Sequence, residues 1–179
     1  IMVEGSGSLN LLSEGFDSEW VGNPSAPAGW SQITVSGTVP WRRSTSYGGT
    51  AYGQWSSSGG EHLLISPVLD LTSGYNLFFS IDGSSLAGTD LKVQISNQNT
   101  DATTGWTDLA YYVAGSNMPS SWENIVINLG DYTGDHYIAF RVLDDDGYSV
   151  YLDDVIVEPM PMVASIELSS NDVDFGSVF

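Results

Sequence analysis

Asp153 and Asp154 stand side by side in YSVYLDDVIV (148–157), a short run rich in tyrosine, valine and isoleucine that reads as a β-strand. Successive side chains on a strand point to opposite faces. One of the two carboxylates is therefore expected on the inner face, where an unpaired charge is costly or shifts its pKa strongly. Adjacent carboxylates suit the chemistry of a hard cation, because calcium collects several oxygen ligands at a strand end or loop. The spacing leaves two readings open. Either one aspartate faces solvent and the other a metal, or LDDV is an edge strand with both aspartates solvated.

Other stretches offer less. DDDG (144–147) lacks the alternating Asp-x-Asp-x-Asp-Gly spacing of an EF-hand loop and reads as a solvated hairpin turn. His62 and His136 are the only histidines, and each opens a strand, where a packing or surface role is expected. No Gly-x-Ser-x-Gly elbow, no motif pairing two glutamates and no phosphate-cradling glycine loop before a helix occurs, so catalysis is not expected. WRRSTSYGGTAYGQW (41–55) gathers aromatics and arginines in a glycine-rich setting. Trp41 is assigned to the core. Trp55, Tyr47 and Tyr52 are candidates for stacking on a sugar ring, and Arg42 and Arg43 for gripping a carboxylate.

Charge bounds the partners. Lys92, Arg42, Arg43 and Arg141 are the only basic residues against 22 acidic ones, for a formal net charge of −18. Such a surface repels nucleic acid and anionic lipid and attracts cations. No nucleic-acid binding is expected, and no apolar run is long enough for membrane insertion. Cysteine is absent, which removes disulfides and thiol chemistry.

The elements that must position these residues are strands throughout. Runs at 9–16, 30–37, 62–71, 75–82, 90–97, 106–113, 122–129, 136–143 and 148–157 are bounded by turn chemistry such as NPSAPAG, GGT and SSGG. LKVQIS and NIVINL alternate as half-buried strands should. The fold class predicted is all-β: a two-sheet antiparallel β-sandwich, or jelly roll, plus a truncated strand segment of a second β domain. Residues 1–8 read as a linker or tag-like tail, 9–158 as the jelly-roll module and 159–164 as a Pro-rich linker. Residues 165–179 read as the start of an Ig-like domain, so that the chain is expected to be part of a longer one.

SEGFDS, PAGWSQI, LLISPVLDLTSGYNLFFSI, DLKVQIS and HYIAFRVLDDDGYSVYLDDVIV follow one another over 11–158. In this order they resemble the cleaved-adhesin or choice-of-anchor J jelly-roll modules of Bacteroidetes surface proteins, and more distantly MAM-type sandwiches. LSSNDVDFGSVF resembles the opening of an immunoglobulin-like module. His62 and Leu63 stand where an Asp-Trp pair is frequent in the family, a departure that leaves that pair's role open. The resemblance implies a non-catalytic part of an exported protein, handled by type IX secretion and carrying structural Ca2+. It also implies that Glu14 and Asp17 match the acidic start, Asp153 and Asp154 the closing motif, and Asp82 a further acidic ligand. A jelly roll that lays its first and last strands together would bring Glu14 and Asp17 to Asp153 and Asp154, and a divalent cation would offset their repulsion.

The function expected is therefore a calcium-stabilised adhesin or spacer module, secreted or on the bacterial cell surface outside the outer membrane. Its expected partners are neighbouring Ig-like modules and a surface glycan or a host or matrix protein. The alternative is a carbohydrate-binding module appended to a secreted enzyme.

Overall fold

Residues with β-branched and aromatic side chains alternate with polar ones along most of the chain, and alternation of that period lets a strand bury one face. The structure, a computed structural model, describes residues 10–45, 50–53, 60–72, 74–83, 88–98, 103–144 and 149–160. In chain order its strands are β1 (Leu12–Glu14), β2 (Val21–Gly22), β3 (Ser25–Ala26), β4 (Ser31–Ser36), β5 (Arg42–Arg43), β6 (Ala51–Gly53) and β7 (Gly60–Ile65). They continue as β8 (Leu69–Asp70), β9 (Tyr75–Asp82), β10 (Thr89–Ser96), β11 (Thr107–Tyr112), β12 (Glu123–Asn128), β13 (Asp135–Asp144) and β14 (Val150–Pro159). No helix occurs among the described residues.

Two antiparallel sheets form the body. The front sheet has the order β12-β9-β14-β6-β5, with β1 also paired to β14. The back sheet has the order β11-β10-β13-β7-β4, with β8 also paired to β13. The short β2 and β3 make a separate ribbon. Chain-adjacent strands such as β9 and β10, or β13 and β14, lie in opposite sheets, as the expected jelly-roll sandwich requires.

The core fills the space between the sheets. Leu77, Phe79 and Ile81 of β9 and Leu152, Val155 and Val157 of β14 are buried from the front. Leu91, Val93 and Ile95 of β10 and Ile138, Phe140 and Val142 of β13 are buried from the back. Phe140 is stacked on Trp30 at 6.4 Å and meets Phe79 edge-on at 5.4 Å. At roughly 1.5–3 kcal/mol per fully buried large apolar side chain, this interior is the main source of stability. Trp41, with no exposed surface, belongs to it as expected.

Three details depart from the sequence reading. The run at 62–71 is two strands, because Pro67 has no N–H to continue the ladder. Ser66 bridges the break instead: its N–H donates to the Ile138 carbonyl, and its hydroxyl accepts from the Ile138 N–H at 3.0 Å. β13 and β14 belong to different sheets and so do not pair as the hairpin expected at 144–147, of which residues 145–147 lie outside the described residues. The last strand, expected over 148–157, spans Val150–Pro159. Residues 1–8, 161–164 and 165–179, and with them the Ig-like segment, lie outside the described residues.

Candidate functional site

The Asp153–Asp154 pair sits on an irregularity of the last strand. The register of β14 against β9 shifts between Asp153 and Ile156. Leu152 and Val155, three positions apart, are both fully buried, while Asp153 is half-buried and Asp154 exposed. Asp154, within the bulge, has a φ of 49°, a left-handed conformation that aspartate tolerates better than most residues. Its N–H donates to Asp153 Oδ1 at 2.8 Å. This corrects the strict alternation predicted from sequence. The extra residue lets both aspartates leave the core side, so neither faces the interior.

The bulge also marks a seam. β9 follows β14 along one edge, from Tyr151 to Pro159. On the other edge, β6 pairs with Val150, Tyr151 and Leu152, and β1 pairs with Val155, Ile156 and Val157. Asp153 and Asp154 fall in the gap where β14 passes from one partner to the other. The first strand is thus bonded to the last, as expected, and its C-terminal end delivers Glu14–Asp17 to the bulge.

Phe16 explains how those residues are presented. Its ring is fully buried and packs on Trp20 at 6.1 Å and Trp30 at 5.7 Å. The inward turn needs a φ of 53°, unusual for a bulky residue. The Phe16 N–H donates to Glu14 Oε1 at 2.7 Å, and the Phe16 carbonyl accepts from Arg43 Nε at 2.8 Å. Arg43 also donates to the Asp17 carbonyl and pairs with Glu19. Among the described residues, Phe16 and Asp154 are the non-glycine positions with positive φ, and they flank the same seam. Strained backbone of this kind persists where the surroundings over-determine it, often at binding sites.

Four carboxylates share this neighbourhood. The Asp153 carboxyl is pushed above its usual range by burial, and the charges of Asp154, Asp17 and Glu14 push it in the same direction; the hydrogen bond from the Asp154 N–H opposes the shift. A Cβ built on Gly15 would lie 3.3 Å from Asp17 Oδ2 and 3.9 Å from Asp154 Oδ1, so both carboxylates border the space over that glycine. No ion pair among the described residues engages any of the four. In these rotamers, no three acidic or histidine side chains among the described residues converge closely enough to hold a metal ion. The donor set itself, all oxygen and anionic, is the kind a hard cation takes.

The other predicted residues are distributed as follows. Asp82 lies opposite Tyr151 on β14, two pairs along from the Ser80–Asp153 pair. Burial raises its pKa, but it is not among the charges acting on Asp153. Arg42 is exposed on the β5 edge and pairs in register with Tyr52. Arg43 is committed to the 16–19 segment, so its observed role is structural. Tyr47, Trp55 and the side chain of Tyr52 lie outside the described residues. Both histidines pack: His62 lies 3.2 Å from Thr34 Oγ1, and His136 lies edge-on to Tyr132 at 5.6 Å. Sequence reasoning missed Gly15 and Phe16, whose neighbours in SEGFDS were the only signal.

No family model and no curated protein matches the sequence. Solved structures do. The K3 cleaved adhesin domain of Lys-gingipain from Porphyromonas gingivalis superposes with a TM-score of 0.66 at 22% identity, over 86% of this chain and 100% of that one. The fold is similar to that of a cleaved adhesin domain. The K1 cleaved adhesin domain of the same protein gives 0.66 at 23% identity, over 83% of this chain and 98% of that one. The carbohydrate-binding module TmCBM61, solved in complex with β-1,4-galactotriose, gives 0.59 at 17% identity, over 86% and 100%. At these identities the likeness to cleaved adhesin and carbohydrate-binding modules is one of fold.

Proposed function

We propose that this chain is a non-catalytic, calcium-stabilised adhesin or spacer module of a bacterial cell-surface or secreted multidomain protein. The observation that carries the reading is the seam. The first strand is hydrogen-bonded to the last at the point where Glu14, Asp17, Asp153 and Asp154 gather with no basic partner among the described residues. A bound calcium ion supplies the positive charge that such a cluster lacks. Asp153 and Asp154 would hold it from β14, and Glu14 and Asp17 from the end of β1. Asp82, two residue pairs along β9 from the Ser80–Asp153 pair, stands outside this set. Ligands from both strands tie the entry of the module to its exit, which suits a unit that passes tension between neighbouring immunoglobulin-like modules. Export by the type IX route, and contact with a matrix or host protein, belong to the same proposal. The packed histidines and the absence of a nucleophile motif support a non-catalytic role.

Thermal melting in chelator, after calcium add-back and with a magnesium control, tests the proposal. An ion at ~100 times its Kd adds about 2.7 kcal/mol. For a chain of this size that is a rise of roughly 5–11 °C. The rise should be calcium-specific and lost in Asp153→Asn. An unchanged melt, with metal content checked by elemental analysis, would overturn the proposal.

A further inference from the structure

The outer face of the front sheet is not the plainly polar surface that a solvated sheet face presents. In register, Val126 of β12, Phe78 of β9 and Ile156 of β14 form an apolar row across three strands. Val126 is 57% exposed, and Trp122, just before β12, is 42% exposed. Two depressions lie beside this row. One, of about 470 Å³, is bordered by Phe78, Ser80, Asn124, Asp154, Ile156 and Glu158 among others. The second, of about 290 Å³, is bordered by Ser80, Trp122, Asp153 and Asp154. They share Ser80 and Asp154 as borders, so they adjoin in one hollowed stretch of the face, and the larger is of the size range that ligand sites occupy.

We propose that this hollow binds an uncharged oligosaccharide, with Trp122 as the stacking platform and Asn124, Asp153 and Glu158 as partners for its hydroxyls. A sugar ring has an apolar CH face and a rim of hydroxyls that both donate and accept. The hollow offers both kinds of surface. The Ser80 hydroxyl donates to Asn124 Oδ1 at 2.8 Å, which fixes the amide and directs its NH2 away from Ser80. Among the described residues that NH2 has no partner, so it is a positioned donor. The carboxylates of Asp153, Asp154 and Glu158 are acceptors on the opposite side. β9, β12 and β14 contain no lysine or arginine, so an acidic glycan would meet only like charge. Strand addition by a peptide cannot occur at the floor, because β9 is already paired on both edges. The residues named here are not those that the sequence suggested at 41–55, and the inference extends beyond calcium stabilisation.

Affinity electrophoresis of the whole chain tests this, in gels carrying β-1,4-galactan, xylan, mannan or mixed-linkage β-glucan, with polygalacturonate and an oligolysine peptide as charged controls. At least one neutral polysaccharide should retard the protein. Trp122→Ala and Asn124→Ala should each weaken retardation roughly tenfold or more, while Tyr111→Ala on the back sheet leaves it unchanged. Both site variants should keep the wild-type melt and its calcium response, which separates this inference from the calcium proposal. No retardation by any neutral polysaccharide, retardation insensitive to Trp122→Ala, or interaction with oligolysine alone would overturn it.

Discussion

Arg43 tests how the seam is built. Its guanidinium donates to the carbonyls of Phe16 and Asp17 and pairs with Glu19. The Glu19 side chain is 92% exposed, so that pair contributes little. The two carbonyl bonds carry the effect, because the Arg43 side chain is only 19% exposed and its loss strands both acceptors. A charged hydrogen bond contributes about 1.5–3 kcal/mol, and some solvent will reach the vacated space, so Arg43→Met should cost about 2–4 kcal/mol. That corresponds to a fall in Tm of roughly 4–16 °C. Arg43→Lys should recover little, since an ammonium cannot span both carbonyls as the planar fork does. The assay is thermal melting of the three proteins in chelator, followed by calcium titration. The calcium response should weaken in Arg43→Met, because residues 14–17 are no longer held against the bulge. A lysine variant indistinguishable from the wild type would refute the clamp and reduce Arg43 to a surface charge.

Three other substitutions separate the roles at the seam. Asp153→Asn should invert its effect with calcium: a gain of about 0.5–1 kcal/mol in chelator, discounted for solvent access, and a loss when calcium is present. The folded-state pKa of Asp153 is raised, so the folded chain takes up this proton before the unfolded chain does; the metal-free gain of the variant should shrink as pH falls through that raised value and be gone below 3.8, as melts from pH 7 downward would reveal. Gly15→Ala places a methyl group between the Asp17 and Asp154 carboxylates, so the chelator melt should stay within about 0.5 kcal/mol while the calcium-induced rise shrinks. Asp82→Asn relieves a carboxyl pushed up by burial and should stabilise the metal-free chain without altering the calcium response, because Asp82 stands outside the coupled four.

Much of the frame is legible in the residues themselves. YNLFFSID becomes a strand over Tyr75–Asp82, and LKVQIS and NIVINL become β10 and β12, because period-two alternation survives wherever one face must be buried. The two-residue β5 and three-residue β6 were not legible, since pieces so short show no period and lie in a glycine-rich run. The proximity of SEGFDS to LDDV was expected from the jelly-roll arrangement and is observed. The bulge was not expected, although it is the physical answer to two adjacent carboxylates: one extra residue turns both outward. Trp122 and Asn124 were missed because alternation says that one face of β12 is outside, not what its neighbours leave beside it.

The central claim is that one cation joins the end of β1 to the bulge of β14. Anomalous diffraction from crystals grown with calcium locates such an ion directly. The account predicts a peak roughly 2.3–2.6 Å from oxygen atoms of Asp153 or Asp154 and of Glu14 or Asp17. Density without a peak at that seam, in crystals grown at a calcium concentration that saturates any thermal response, would contradict it.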